Sequence, residues 1–223
     1  EKVALIAERT RLEMFRKWFG TDSVEWNPKC ELVLHSNATD YSRLTGVPST
    51  SPGHSRIESD PSGQRISGRR MDLRCDNGAM LEAVLPHETT HQVLAGMFGQ
   101  YQVPRWADEG IAVLSEPLEK IEMHRRNLLK TYQENRLFGL AELMQLSDYP
   151  SGNRISAFYA QSVVLVDFLA KQKGNRVFTE FVRDGLREGY ESSLRRHYGW
   201  NFSDLQQQWE TQVLGEITRL AAL

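Results

Sequence analysis

The apolar positions change period along the chain. Over residues 2–19 they recur at helical spacing, with Val3, Ile6, Leu12, Phe15 and Phe19 in one stripe, which predicts an amphipathic helix ended by Gly20. The short run 31–35 (E-L-V-L-H) predicts a strand, and residues 40–44 a helical turn before Gly46. Residues 47–64 are dense in Pro, Ser and Gly, the pattern of a long loop or of a loose hairpin with 55–58 as one strand. Alternation at Met71 and Leu73 predicts a further strand over 65–74. These runs make a small sheet with an exposed edge, placed just before a helix. That helix is signalled by 79–85, by Val93, Leu94, Met97 and Phe98 as its apolar face, and by Gly99 as its C-cap. Pro86 stands inside the pattern, either in the first turn of a helix or at a kink.

Downstream the period is helical almost throughout. Pro104 opens a helix whose apolar face is Trp106, Ile111, Ala112 and Leu114. Further helices are expected over 118–133, 140–146, from about 156 to Gly174, 177–186, 190–198 and 202–220, the last capped by Ser203. A Pro/Gly/Asn loop covers 149–154. There are no internal repeats. The expected fold class is α+β, with an α+β lobe over 1–100, a helical lobe over 101–223, and a site at their junction.

Composition narrows the function classes. The chain has 223 residues, 40% of them hydrophobic, enough for one large domain or two packed lobes. Its 27 basic and 29 acidic residues nearly balance, so no nucleic-acid or membrane-surface footprint stands out. No apolar run approaches the roughly 18–20 residues that span a bilayer. The first residue is Glu1, from which we expect a processed or trimmed chain with any export signal out of view. Cys30 and Cys75 lack C-x-x-C spacing and are not expected to bind zinc. One strand-like run begins at Cys30 and another ends at Cys75, which leaves a disulfide between strands open. A disulfide suits an exported protein and two buried thiols a cytosolic one. Export is the preferred expectation.

The chemistry-bearing stretch begins at Pro86. His87, Glu88 and His91 form H-E-x-x-H, and positions i and i+4 on a helix lie on one face, where both imidazoles can grip one metal ion. Glu88 is offset around the helix and can serve as general base over the open side of the ion. Two imidazoles are an incomplete zinc site. Separated from His91 by seventeen residues, Glu109 stands in an almost uncharged helical run and is placed to be the third ligand, although acidic residues near a helix start are also common for dipole reasons.

These residues carry a resemblance. H-E-x-x-H followed at this distance by E-G-I-A-V-L-S-E is similar to the gluzincin metallopeptidases, particularly the aminopeptidase N-like and minimal peptidase MA-like families. Their second helix reads W-x-x-E-G-x-A, matched here by Trp106, Glu109, Gly110 and Ala112. The resemblance is tight over 86–116 and looser downstream. It implies a thermolysin-like zincin fold, one zinc ion held by His87, His91 and Glu109, and hydrolysis of peptide bonds in a peptide or protein substrate through a metal-activated water. It makes Glu88 the general base. Residues 156–169 resemble the family helix bearing a tyrosine that hydrogen-bonds the oxyanion, which maps to Tyr159; the Glu-Lys-Gly that commonly follows is here Ala160, Gln161 and Ser162. It also implies that a substrate adds itself in extended form to the strand preceding the H-E-x-x-H helix.

Bland readings stand beside these. Glu116 is either a brace for a ligand histidine or a solvated surface residue. His35, His54, His124 and His197 are expected at the surface, as are the basic pairs Arg69-Arg70, Arg125-Arg126 and Arg195-Arg196. Two other readings of the whole chain are a catalytically silent, peptidase-like zinc-binding module that acts in protein interaction, and a helical scaffold with a chance motif.

Overall fold

A computed structural model describes residues 1–22, 25–99 and 101–221. Their contacts divide the chain into two compact units, one comprising Glu1–Val103 with Ser115–Pro117, the other Pro104–Leu114 with the chain from Leu118 onward. The architecture is α+β, a three-stranded sheet with helices that make up most of the structure.

In the first unit the N-terminal helix α1 (Lys2–Met14) runs on as a π turn over Phe15–Phe19 and stops at Gly20, whose φ of 65° only glycine adopts cheaply. Strand β1 (Glu31–His35) follows, then α2 (Ala38–Thr45), capped by the Asn37 side chain accepting from the Asp40 N–H at 2.9 Å. The Pro/Ser/Gly-rich stretch holds a strand longer than expected, β2 (Gly53–Ser59), which forms a hairpin with β3 (Ile66–Arg74). The sheet order is β1-β3-β2, with β1 parallel and β2 antiparallel to β3.

This order corrects one expectation. The strand preceding the H-E-x-x-H helix is β3, and it is paired on both sides; the sheet edges belong to β1 and β2. Alternation along β3 reports which face each residue takes but not which strands flank it. It also answers the cysteine question. Because β1 and β3 are parallel, Cys30 before β1 and Cys75 after β3 lie at opposite ends of the sheet, and both are free thiols.

Helix α3 (Leu85–Phe98) carries the motif. A π turn over Met80–Val84 leads into it, with the Val84 N–H reaching back five residues to Ala79 O at 3.3 Å. Pro86 has no N–H and its ring crowds the carbonyl four residues back, so widening the ladder here lets one helical run pass through the proline. Leu85 and Val84 close over Met71 and Leu73 of β3 to form the core beneath the motif, with Val3 and Ile6 of α1 packed against it.

The second unit is helical: α4 (Arg105–Val113), α5 (Leu118–Gln133), α6 (Leu140–Gln145), α7 (Ile155–Lys173), α8 (Asn175–Glu188), α9 (Tyr190–Tyr198), α10 (Phe202–Trp209), a π turn over Glu210–Leu214, and α11 (Gly215–Ala221). The cap of α10 is Asn201 rather than Ser203; its side chain accepts from the Asp204 N–H while Asp204 accepts from the Asn201 N–H, each at 2.9 Å. α7 is buried along most of its length and packs against α4, α5 and α8. Among the described residues no helix is long and apolar enough to cross a membrane.

Gly110 sets how closely α4 approaches α7. A Cβ built there would lie 2.4 Å from Val166 Cγ2 and 2.6 Å from the Ser162 carbonyl oxygen, both held within a helix. Gly110→Ala should therefore force the two helices apart. The expected cost is about 3 kcal/mol or more, a fall in Tm of roughly 6–12 °C, read by a thermal melt of the metal-free chain. An unchanged Tm would mean that α4 does not pack on α7 this closely.

Candidate metal centre

Both histidines are carried by α3. α3 is fastened to the sheet by polar bonds: Gln92 donates to the carbonyls of Arg56 (3.3 Å) and Arg70 (3.1 Å), and Ser55 Oγ of β2 donates to the Glu88 carbonyl at 2.9 Å. Such bonds fix the rotation of the helix as well as its position, which apolar packing alone does loosely. His87 and His91 face the same way, their ring centroids 4.7 Å apart and nearly perpendicular. The N–H at His87 Nδ1 donates to Glu116 Oε1 at 2.8 Å. Of the two readings of Glu116, brace or solvated residue, the brace is the one observed. That bond fixes the tautomer and the ring orientation of His87. Glu88 is buried, only 6% exposed, beside them on the helix.

The carboxylate is carried by α4. α4 begins after Pro104, in extended conformation as N-cap, and is anchored by Trp106, which packs edge-on against Phe178 and Tyr190 at 6.0 and 6.1 Å. Glu109 follows on the same helix and is 3% exposed. Its Oε1 accepts a hydrogen bond from the hydroxyl of Tyr149. Desolvation and the adjacent Glu109 carboxylate push the Tyr149 phenol above its ordinary value, so it acts as the donor. Tyr159, on α7, is half-buried, with Phe158 at 5.4 Å, Tyr149 stacked at 6.3 Å and His124 at 6.2 Å between ring centroids.

His87, His91 and Glu109 can each offer one ligand atom, and these atoms all lie within 4.8 Å of one another. Two imidazole nitrogens and a carboxylate oxygen are a donor set that suits zinc, which takes four ligands and accepts water as the fourth. The residues present thus fit the ion that the motif implies.

Several polar residues are less exposed than expected. His35 is buried and donates to Asp72 Oδ1 at 2.7 Å; His54 is half-buried and hydrogen-bonded to Tyr41 at 3.1 Å; His197 meets Asp184 at 2.8 Å. Burial opposes ionisation of Asp72, but its bonds to Arg70 and His35 prevail and hold its carboxyl below the usual carboxylate range. Arg69, expected on a solvated face, is buried, donates to the Gln92 carbonyl at 2.8 Å and lies 5.0 Å from the Trp26 ring. In each case a partner distant in sequence offsets the cost of burial. Arg125, Arg195 and Arg196 are paired with nearby carboxylates.

Tyr149 is the residue that sequence reasoning missed. It lies in the 149–154 loop, where no period marks a side chain as functional, and its one local signal is the following Pro150, which disfavours a helical backbone at Tyr149. No protein-family model and no curated protein matches the chain.

Proposed function

We propose that this chain is a zinc-dependent metallopeptidase of the gluzincin type with a thermolysin-like zincin fold. The observation that carries the reading is the grouping of His87, His91 and Glu109, two imidazoles from an H-E-x-x-H helix and one buried carboxylate. Sequence spacing favours it as well: Glu109 lies seven residues before Glu116, which holds His87.

When bound, the zinc supplies an activated water and polarises the scissile carbonyl. The remaining work falls to the chain. His87, His91 and Glu109 hold the ion, with Glu116 orienting His87. Glu88, next to His87 and offset around the helix, takes the proton from the attacking water and delivers it to the leaving amine. The Tyr159 phenol donates a hydrogen bond to the developing oxyanion. The free edge of β2 can receive an extended peptide by main-chain hydrogen bonds, which aligns a carbonyl without reading side chains. β2 suits this role because Ser55 ties it to the Glu88 backbone.

The test is metal removal. Peptide hydrolysis should disappear on dialysis against a chelator and return on addition of one equivalent of zinc per chain. Activity that persists without metal would contradict the mechanism. Zinc bound with no cleavage of a mixed peptide library would favour the silent binding module.

A further inference from the structure

We infer that Arg105 is a specificity-determining residue that binds a carboxylate of the peptide substrate and so directs cleavage to within one or two residues of it. The inference rests on the metallopeptidase reading above and adds a substrate class to it. Arg105 is the first residue of α4 and stands four residues before Glu109, so the two share one face of that helix. Its guanidinium lies 5.1 Å from the ring centroid of Tyr149, whose hydroxyl bonds to Glu109. From α7, Phe158 meets that ring edge-on at 5.7 Å and Tyr159 stacks at 6.3 Å, so the cation rests against a fixed aromatic surface.

Two features of Arg105 cost the chain stability when nothing is bound. The residue is half-buried, its Nε is buried without a hydrogen-bond partner, and among the described residues no carboxylate pairs with its guanidinium. Other arginines of the same unit do meet one, Arg125 on Asp167, Arg154 on Glu142 and Arg195 on Glu191. A cation at the first position of a helix also faces the positive end of the helix dipole. An anion supplied from outside offsets both costs. It pairs with a cation that water hydrates only in part, at a helix end that itself favours negative charge. Along α4 four residues rise about 6 Å, and an extended peptide advances about 3.4 Å per residue. A carboxylate one or two residues from the scissile bond is therefore the one in reach. The C-terminal carboxylate and an acidic side chain at that distance supply the same chemistry.

The probes are three sets of N-acetylated hexapeptides: free acids without Asp or Glu, the same sequences as C-terminal amides, and amides containing a single Asp or Glu. Each set is offered to zinc-loaded wild type, Arg105→Met and Arg105→Lys, and the cut positions are read by mass spectrometry. Wild type should cleave one carboxylate-bearing set about 10–100-fold better in kcat/KM than the neutral amides, and which set it is names the source. The cuts should fall within one or two residues of the carboxylate. Arg105→Met, which keeps an unbranched stem beside the Tyr149 ring, should lose that preference through KM rather than kcat. Arg105→Lys, a point charge without the planar fork, should retain part of it. Calorimetry on zinc-loaded Glu88→Gln should show the preferred peptides binding about 10–100-fold more weakly once Arg105→Met is added. Equal cleavage of all three sets by wild type, or a preference that survives Arg105→Met, would overturn this inference and leave the metallopeptidase reading standing. No zinc-dependent cleavage of any set would overturn both.

Discussion

Replacing Glu88 by Gln is expected to leave the chain folded and able to bind zinc while lowering kcat for peptide hydrolysis by about 10²–10⁴-fold. Gln has nearly the same shape as Glu, so it fits the same buried place on α3, and the bond from Ser55 goes to the backbone carbonyl, which is unchanged. What is lost is the ability to accept a proton from water. Glu88 is not among the three grouped ligand residues, so metal affinity should hold. Tyr159→Phe belongs in the same series. It removes one oxyanion donor and should lower kcat by about 10²–10³-fold with little change in KM. Steady-state kinetics on a cleavable peptide, with zinc content measured on the same preparations, checks both. Full activity in Glu88→Gln would remove it from the role of base.

The second large effect is expected from Glu109→Ala. Its zinc affinity should fall by more than the roughly 10–100-fold typical of a supporting residue, because the proposed ligand itself is deleted. The fold should survive. Ala is the best helix former, and Tyr149, being partly exposed, can turn its hydroxyl to water when its acceptor is gone. Removing a carboxylate that is 3% exposed also removes a desolvated charge, so the metal-free variant should melt no lower than metal-free wild type. With zinc present the order reverses. Ligand binding at about 1,000 times Kd adds about 4 kcal/mol to wild type and much less to the variant. Paired melts with and without zinc read the whole pattern. A variant that melts low in both conditions would mean that Glu109 is a structural residue.

Local signals explain what was legible in the sequence. Helical periodicity together with Gly20, Gly99 and Gly174 marked where runs stop, because each of these glycines takes a positive φ after a helix or π turn. β1, α5 and α9 span the residues their patterns predict. The facing of His87 and His91 follows from their spacing on a helix alone.

The misread features depend on partners far along the chain. Which strands flank β3 is decided by β1 and by the hairpin to β2, and no residue of β3 announces it. The parallel sense of β1, which puts Cys30 and Cys75 at opposite ends, is likewise invisible in either strand. His35 and Arg69 look like surface residues until Asp72, Gln92 and Trp26 come to meet them. The π turn before Pro86 adds one residue to a turn, and a 3.6-residue period is too coarse to show it. The bond from Tyr149 to Glu109 joins a loop to a helix forty residues earlier, and only the folded chain reveals it.

The central claim is that His87, His91 and Glu109 hold one zinc ion, and the most direct test is the metal content of the wild-type chain. Protein purified without chelator, dialysed against metal-free buffer and measured by elemental analysis should retain one zinc per chain, lose it only to a strong chelator, and take back a single equivalent. A chain that holds no zinc after reconstitution, with its fold intact, would contradict the account.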